Sequence, residues 1–173
     1  AGGDLLDYSQ VNQALVERDS PSMYITYAEV EFMLAEAALR GWYTGDAETH
    51  YNNGVRAAMA NWAYYGVEAP STEDVNAYLA ANPFVEANGM EMIGEQYWAA
   101  TFLNPLEAYA NWRRIEYPVL TPVNYPGNAT GGTIPRRMKY PLVEFTINAE
   151  NVNAAISNQG PNTYTTRVWW DKQ

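Results

Sequence analysis

Glu29 and Glu36 stand seven residues apart in a stretch with helical spacing, which places both carboxylates on one helix face about 10 Å apart. Two carboxylates about 5–10 Å apart across a cleft can share the acid and base work of glycosidic cleavage. On one helix face, with Arg113-Arg114 further along, the pattern reads instead as structural. Guanidinium forks suit carboxylates, so Glu29 or Glu36 is expected to pair with Arg113 or Arg114 between helical hairpins. His50 is the single histidine and there is no cysteine. Disulfides, thiolate metal sites and a cysteine nucleophile are excluded, and transition-metal ligation lacks a second histidine. Lying just after a helix start, His50 reads as a surface residue. No G-x-S-x-G, Walker loop or G-x-G-x-x-G occurs, and Asp46 with Asn52-Asn53 lacks the spacing of a calcium loop. The reading assigns no catalytic residue, no metal and no cofactor.

The aromatic residues are the stronger candidates for contact with a ligand. The chain holds 14 Tyr, 6 Trp and 4 Phe. A flat ring can carry the apolar face of a sugar, while neighbouring Asn, Asp or Arg groups satisfy the hydroxyls. Tyr64 and Tyr65 fall at the end of the second helix beside a loop. Tyr125 lies in a proline- and glycine-rich segment with Asn124 and Asn128. These five are the candidate ligand-binding residues, at loop positions where function concentrates. Trp42, at a helix-to-helix turn, reads equally as cover or as contact. Arg136-Arg137 with Lys139 is a basic cluster in an acidic chain. It is expected to pin the irregular segment by pairing with acids such as Glu144. The net charge of −10 argues against nucleic acid and anionic membrane as partners, since both require basic patches.

The elements that carry these residues read as all-α. At 173 residues and 47% hydrophobic, the chain is long enough for one domain with a core. Residues 1–23 read as a leading loop and 24–117 as helical hairpins. Thr26 with Glu29 forms a capping box, and Ile25, Ala28, Phe32, Ala35 and Leu39 form the buried stripe of a first helix that stops at Gly41. Asp46 caps a second helix whose inner stripe is Tyr51, Val55, Ala58, Met59 and Trp62. This pair has the length of one tetratricopeptide-like hairpin, about 34 residues. Ser71 caps a short third helix that buries Val75, Tyr78 and Leu79. A fourth is expected over about 90–102, and a fifth from Asn104-Pro105 carrying Leu106, Tyr109 and Trp112. The long segment 118–146 contains five prolines and three glycines, which exclude long helices. Residues 147–173 read as a last helix capped by Asn148 and running through Ile156, with a tail packed back through Trp169 and Trp170. No run of 18 apolar residues exists to span a bilayer. The opening AGGDLLDYSQ lacks the basic and apolar regions of a signal peptide, so the chain is expected to begin within a longer protein.

Four ordered motifs resemble the SusD/RagB family: ITYAEVEFMLAEAALRGW with the following GDA and YNNGVRAAM, then EQYWAATFLNPLEAYANWRRIEYP, then IPRRMKYPLVEFTINAENVNAAI, then VWWDK. Small departures occur at Tyr97 and Ile115. The resemblance implies that residues 1–173 are roughly the C-terminal third of a surface lipoprotein of the Gram-negative outer membrane. It implies a scaffold of tetratricopeptide-like hairpins and a non-enzymatic role, in which a nutrient, commonly an oligosaccharide, is captured and passed to a SusC-like TonB-dependent transporter. The implied partners are that transporter, the ligand and the remaining N-terminal part of the same protein. Much of the ligand platform, and any lipid anchor, would lie upstream. Two other readings stay open: a helical-repeat module that binds protein and no sugar, and a fragment of a glycoside hydrolase.

Overall fold

Thr26 starts the first helix as its sequence requires. The computed structural model describes residues 8–171, and among these the helices are α1 (Tyr27–Leu39), α2 (Ala47–Ala60), α3 (Thr72–Ala81), α4 (Gly89–Ala100), α5 (Pro105–Ile115), α6 (Glu144–Ile147) and α7 (Ala149–Gln159), with no strand. Residues 1–7 of the expected leading loop and the last two residues of the tail lie outside the described residues. The chain forms two compact units, Ala1–Ala108 and Tyr109–Gln173, divided within α5.

The first unit follows its caps. The Thr26 hydroxyl accepts from Glu29 N at 3.2 Å, and the Glu29 carboxylate accepts from Thr26 N at 2.6 Å. Two donors that the helix start leaves unpaired are thereby satisfied. Thr26→Ala is expected to destabilise the unit by about 1 kcal/mol in urea unfolding, with no change in slope. At the other end of α1, Gly41 takes φ +70°. Its N–H donates to Ala38 O, and Trp42 N–H donates to Ala37 O, closing the helix with a left-handed residue that glycine adopts without strain. Asp46 caps α2 by accepting from Thr49 N at 2.8 Å, and Ser71 caps α3 by accepting from Asp74 N.

α1 packs along α2, and α4 lies against both. The core is Ala28, Phe32, Ala35, Tyr51, Val55, Val75, Leu79, Ile93 and Tyr97. Phe32 sits at its centre, tilted against Tyr51 at 6.2 Å and Tyr97 at 6.3 Å. Gly54 of α2 lies directly beneath this ring: a Cβ there would come within 2.6 Å of it. Burial, with Tyr78 and Glu95 nearby, pushes the Tyr51 hydroxyl pKa up to about 12, so it stays neutral.

Three expectations are corrected in this unit. Ile25 is 76% exposed, because it precedes the cap and its extended backbone is outside the helical period. Tyr78 is half-buried, since its hydroxyl is held at 2.9 Å by Gln96 beside a cleft. Leu106, at 81% exposed, lies on the outer side of the first turn of α5. α1 itself is apolar around most of its girth. Its inner stripe is buried, while Tyr27, Val30 and Met33 remain exposed on the opposite face.

In the second unit, the segment from Pro118 is irregular until α6, and α7 buries Val152. α7 runs three residues past the expected end, to Gln159. Asn148 occupies the cap position without bonding a backbone N–H; its amide instead donates to Glu144 and accepts from Asn151. Trp169 is 79% exposed, so it does not pack the tail back; the adjacent Asp171, 2% exposed, is the tail's anchor.

Candidate functional site

The two polar clusters of the chain are scaffolding. In the second unit Arg136 is buried. Its Nε donates to Asp171 Oδ2 at 2.8 Å, one terminal nitrogen donates to Arg113 O at 2.9 Å and lies 3.0 Å from Glu116, and its guanidinium covers the Trp112 ring at 5.0 Å. Arg167 pairs with the same acids, Asp171 at 2.7 Å and Glu116 at 2.6 Å. Burial alone would raise the Asp171 pKa. Hydrogen bonds and positive charge from Arg136 and Arg167 outweigh it and hold the carboxyl below its ordinary range. Glu116 adopts φ +63°, an uncommon conformation for a side-chain-bearing residue, at the point where both arginines hold its carboxylate. Arg113 donates to Arg136 O at 2.8 Å, and its guanidinium lies between Tyr109 at 4.6 Å and Trp170 at 4.7 Å. The basic cluster therefore pins the irregular segment, as expected. Its main acid partners are Asp171 and Glu116, while Glu144 binds Asn148.

In the first unit His50 is no surface residue: its side chain is 16% exposed. Nδ1 lies 2.7 Å from Glu31 Oε2, and the ring packs on Tyr43. Burial pushes the Glu31 carboxyl up, but hydrogen bonds from Tyr27, His50 and Asn53 more than compensate and leave it lowered. Glu29 closes the α1 cap, and Glu36 accepts from Arg40 at 2.7 Å. Arg114 donates to Asn111 at 2.8 Å. Among the described residues no group of acids and histidines is arranged to hold a metal.

A cavity of about 810 Å³ opens in the first unit, within the size range of small-molecule sites. Its floor is Val55, Ala58 and Met59 of α2 with Ala99 and Ala100 of α4. Trp62 and Tyr65, on the 3-10 turn Asn61–Tyr65 that continues α2, supply two rings tilted by 49° with centroids 6.5 Å apart. Gly66, at φ +70°, ends that turn and fixes their position. Asn61, Gln96 and the Tyr78 hydroxyl bring polar groups to the same space. The leading segment closes one side with Leu15, Arg18 and Tyr24, and Phe102 lies at the mouth.

Of the candidate ligand residues, Tyr65 lines this cavity. Tyr64, 69% exposed on the same turn, does not. Asn124, Tyr125 and Asn128 share one loop of the second unit. There Asn128 accepts from Thr130 N at 2.9 Å and donates to Val123 O, Asn124 packs beneath Gly132, and the Tyr125 ring is exposed. Trp62, Tyr78 and Gln96 are cavity residues that the sequence pattern assigned to buried stripes. Their signal was present in the helix-terminal position of Trp62, next to Tyr64-Tyr65.

Residues 3–141 match the SusD-like family described as starch-binding and associating with the outer membrane. Among solved structures, a chitin-binding protein is 37% identical over 94% of this chain and 36% of its own, with a TM-score of 0.87. A SusD-like protein of Bacteroidetes AC2a is 36% identical over 94% of this chain and 33% of its own, with a TM-score of 0.86. A SusD homologue from Bacteroides fragilis NCTC 9343 is 31% identical over 84% and 34%, with a TM-score of 0.73. The chain thus spans about a third of the length of the structures it resembles. No curated protein matches it.

Proposed function

Because the chain belongs to the SusD-like family, we propose that it is the glycan-binding and scaffolding portion of a nutrient-capturing protein that works without catalysis at the outer-membrane surface. The observation that carries this is a solvent-open cavity with two aromatic rings and side-chain amides, in a chain 37% identical to a chitin-binding protein. Tyr65 with Trp62, and the loop of Asn124, Tyr125 and Asn128, are the proposed contacts. Tyr64 extends the first group as an exposed ring. Passage of the ligand to a TonB-dependent transporter of the SusC type, and a lipid anchor in a longer protein, belong to the same proposal. No described helix is long and apolar enough to cross a membrane.

The non-enzymatic reading rests on the acids. Glu29 and Glu36 serve a helix cap and Arg40, and Asp171 serves two arginines. The exposed stripe of Tyr27, Val30 and Met33 favours a second, protein-facing role for α1 beside sugar binding. The test is a glycan array followed by calorimetric titration of the hits, with reducing ends assayed after overnight incubation. Saturable binding with the oligosaccharide recovered intact is the expected result. Release of shorter sugars would restore the hydrolase reading, and an empty array would leave the interaction module.

A further inference from the structure

We propose that the cavity of the first unit takes an uncharged oligosaccharide whose sugar carries an acetamido group; this rests on the glycan-binding reading and assigns it a place and a sugar class. Three features of the lining argue for it. Trp62 and Tyr65 present flat apolar surfaces at a spacing that admits a sugar ring against either. The floor of Val55, Ala58, Met59 and Ala100 offers only aliphatic carbon side chains and a thioether. A bare hydroxyl placed on that floor would lose its water and gain no partner, whereas an acetamido methyl fills the same space favourably. At the edge of the floor are two side-chain amides. Gln96 donates through Nε2 to the Tyr78 hydroxyl at 2.9 Å, which leaves its carbonyl oxygen to accept an N–H. Asn61 makes no side-chain hydrogen bond among the described residues, so its amide remains for the acetamido carbonyl.

The same lining disfavours acidic sugars. A carboxylate is recognised by converging cationic donors. Here Arg18 is the one cation on the described cavity wall, and Glu17 and Glu29 share that wall. The cavity is larger than one sugar needs, so its ligand is a short chain of rings.

The experiment titrates the 173-residue chain calorimetrically with three tetramers, of N-acetylglucosamine, glucose and galacturonic acid. It is repeated on Trp62→Ala, Tyr65→Ala, Gln96→Leu and, as a control in the other candidate loop, Tyr125→Ala. Trp62→Phe keeps a ring in place should the alanine variant fail to fold, which circular dichroism reports. The N-acetylglucosamine tetramer is expected to bind about tenfold or more tightly than the glucose tetramer, a difference of about 1.4 kcal/mol. The cavity variants should each weaken it by about tenfold, with Trp62→Phe intermediate and Tyr125→Ala within about twofold. Equal or tighter binding of the glucose or galacturonate tetramer overturns the sugar class. Binding untouched by the cavity variants, or lost in Tyr125→Ala alone, overturns the place while glycan binding stands. Binding of no tetramer, with an empty glycan array, overturns both.

Discussion

Asp171→Ala is expected to destabilise the 109–173 unit by about 3–5 kcal/mol, the range for removing one partner of a buried ion pair. The loss is large because Arg136 is itself 5% exposed. Without the carboxylate it remains desolvated, with only the half-exposed Glu116 as its charged partner in the unit. Urea unfolding followed by tryptophan emission measures this, since Trp112 and Trp170 both flank the cluster. A loss under about 1 kcal/mol would show that water reaches Arg136. The pH dependence follows from the lowered Asp171 pKa. Its folded value is below the ordinary 3.8, so its contribution is fully present above the unfolded value and is lost as pH falls through the folded one. The wild type should therefore weaken steadily below about pH 4, while Asp171→Asn starts weaker and changes less over the same window.

Phe32→Ala is expected to destabilise the first unit by a similar amount, about 3–5 kcal/mol, through lost burial and an unfilled cavity. Phe32 is fully buried and has Tyr51 and Tyr97 on its flanks. Gly54→Ala gives a sharper test, because two effects oppose each other there. Helix propensity favours alanine by about 1 kcal/mol. The new Cβ would lie 2.6–2.9 Å from three atoms of the Phe32 ring, which its aromatic neighbours prevent from moving away. Overpacking of about 1–3 kcal/mol should win, and Gly54→Ala should lower the urea midpoint. Combined with Phe32→Leu, it should cost less than the sum of the two single changes. A stabilised Gly54→Ala would show that α1 and α2 can separate slightly without loss.

Local chemistry was legible in the sequence, and distant partnership was not. Thr26, Gly41, Asp46, Ser71 and Asn104 act within a few residues of themselves, and each does what its type and position require. The stripe of Ala28, Phe32 and Ala35 is equally local, since one helical period defines it. Ile25 broke the pattern because periodicity was extended one turn beyond the cap. Asp171 and Glu116 escaped notice because their partners are 35 and 51 residues away in the chain. No spacing rule links such positions; only the family motifs that contain Arg136 and the tail marked them as coupled. His50 was read as a surface residue because its position in α2 says nothing about Glu31, its partner on α1. The cavity was hidden for a related reason. Trp62, Tyr78 and Gln96 carry the signature of buried stripes, and a wall of a cleft looks in sequence like a wall of a core.

The ion-pair knot around Arg136 has a kinetic consequence. Its bonds close loops of 35 and 51 residues through largely irregular chain, whereas the caps and helices of the molecule form from neighbours. Closing such loops costs entropy before any contact compensates it, so the knot belongs to the native side of the folding barrier. Contacts made that late leave the folding rate almost untouched and govern how fast the native state is lost. Arg136, Asp171, Glu116 and Arg167 thus act as a latch on lifetime, which sets how long the unit persists at an exposed surface before it opens.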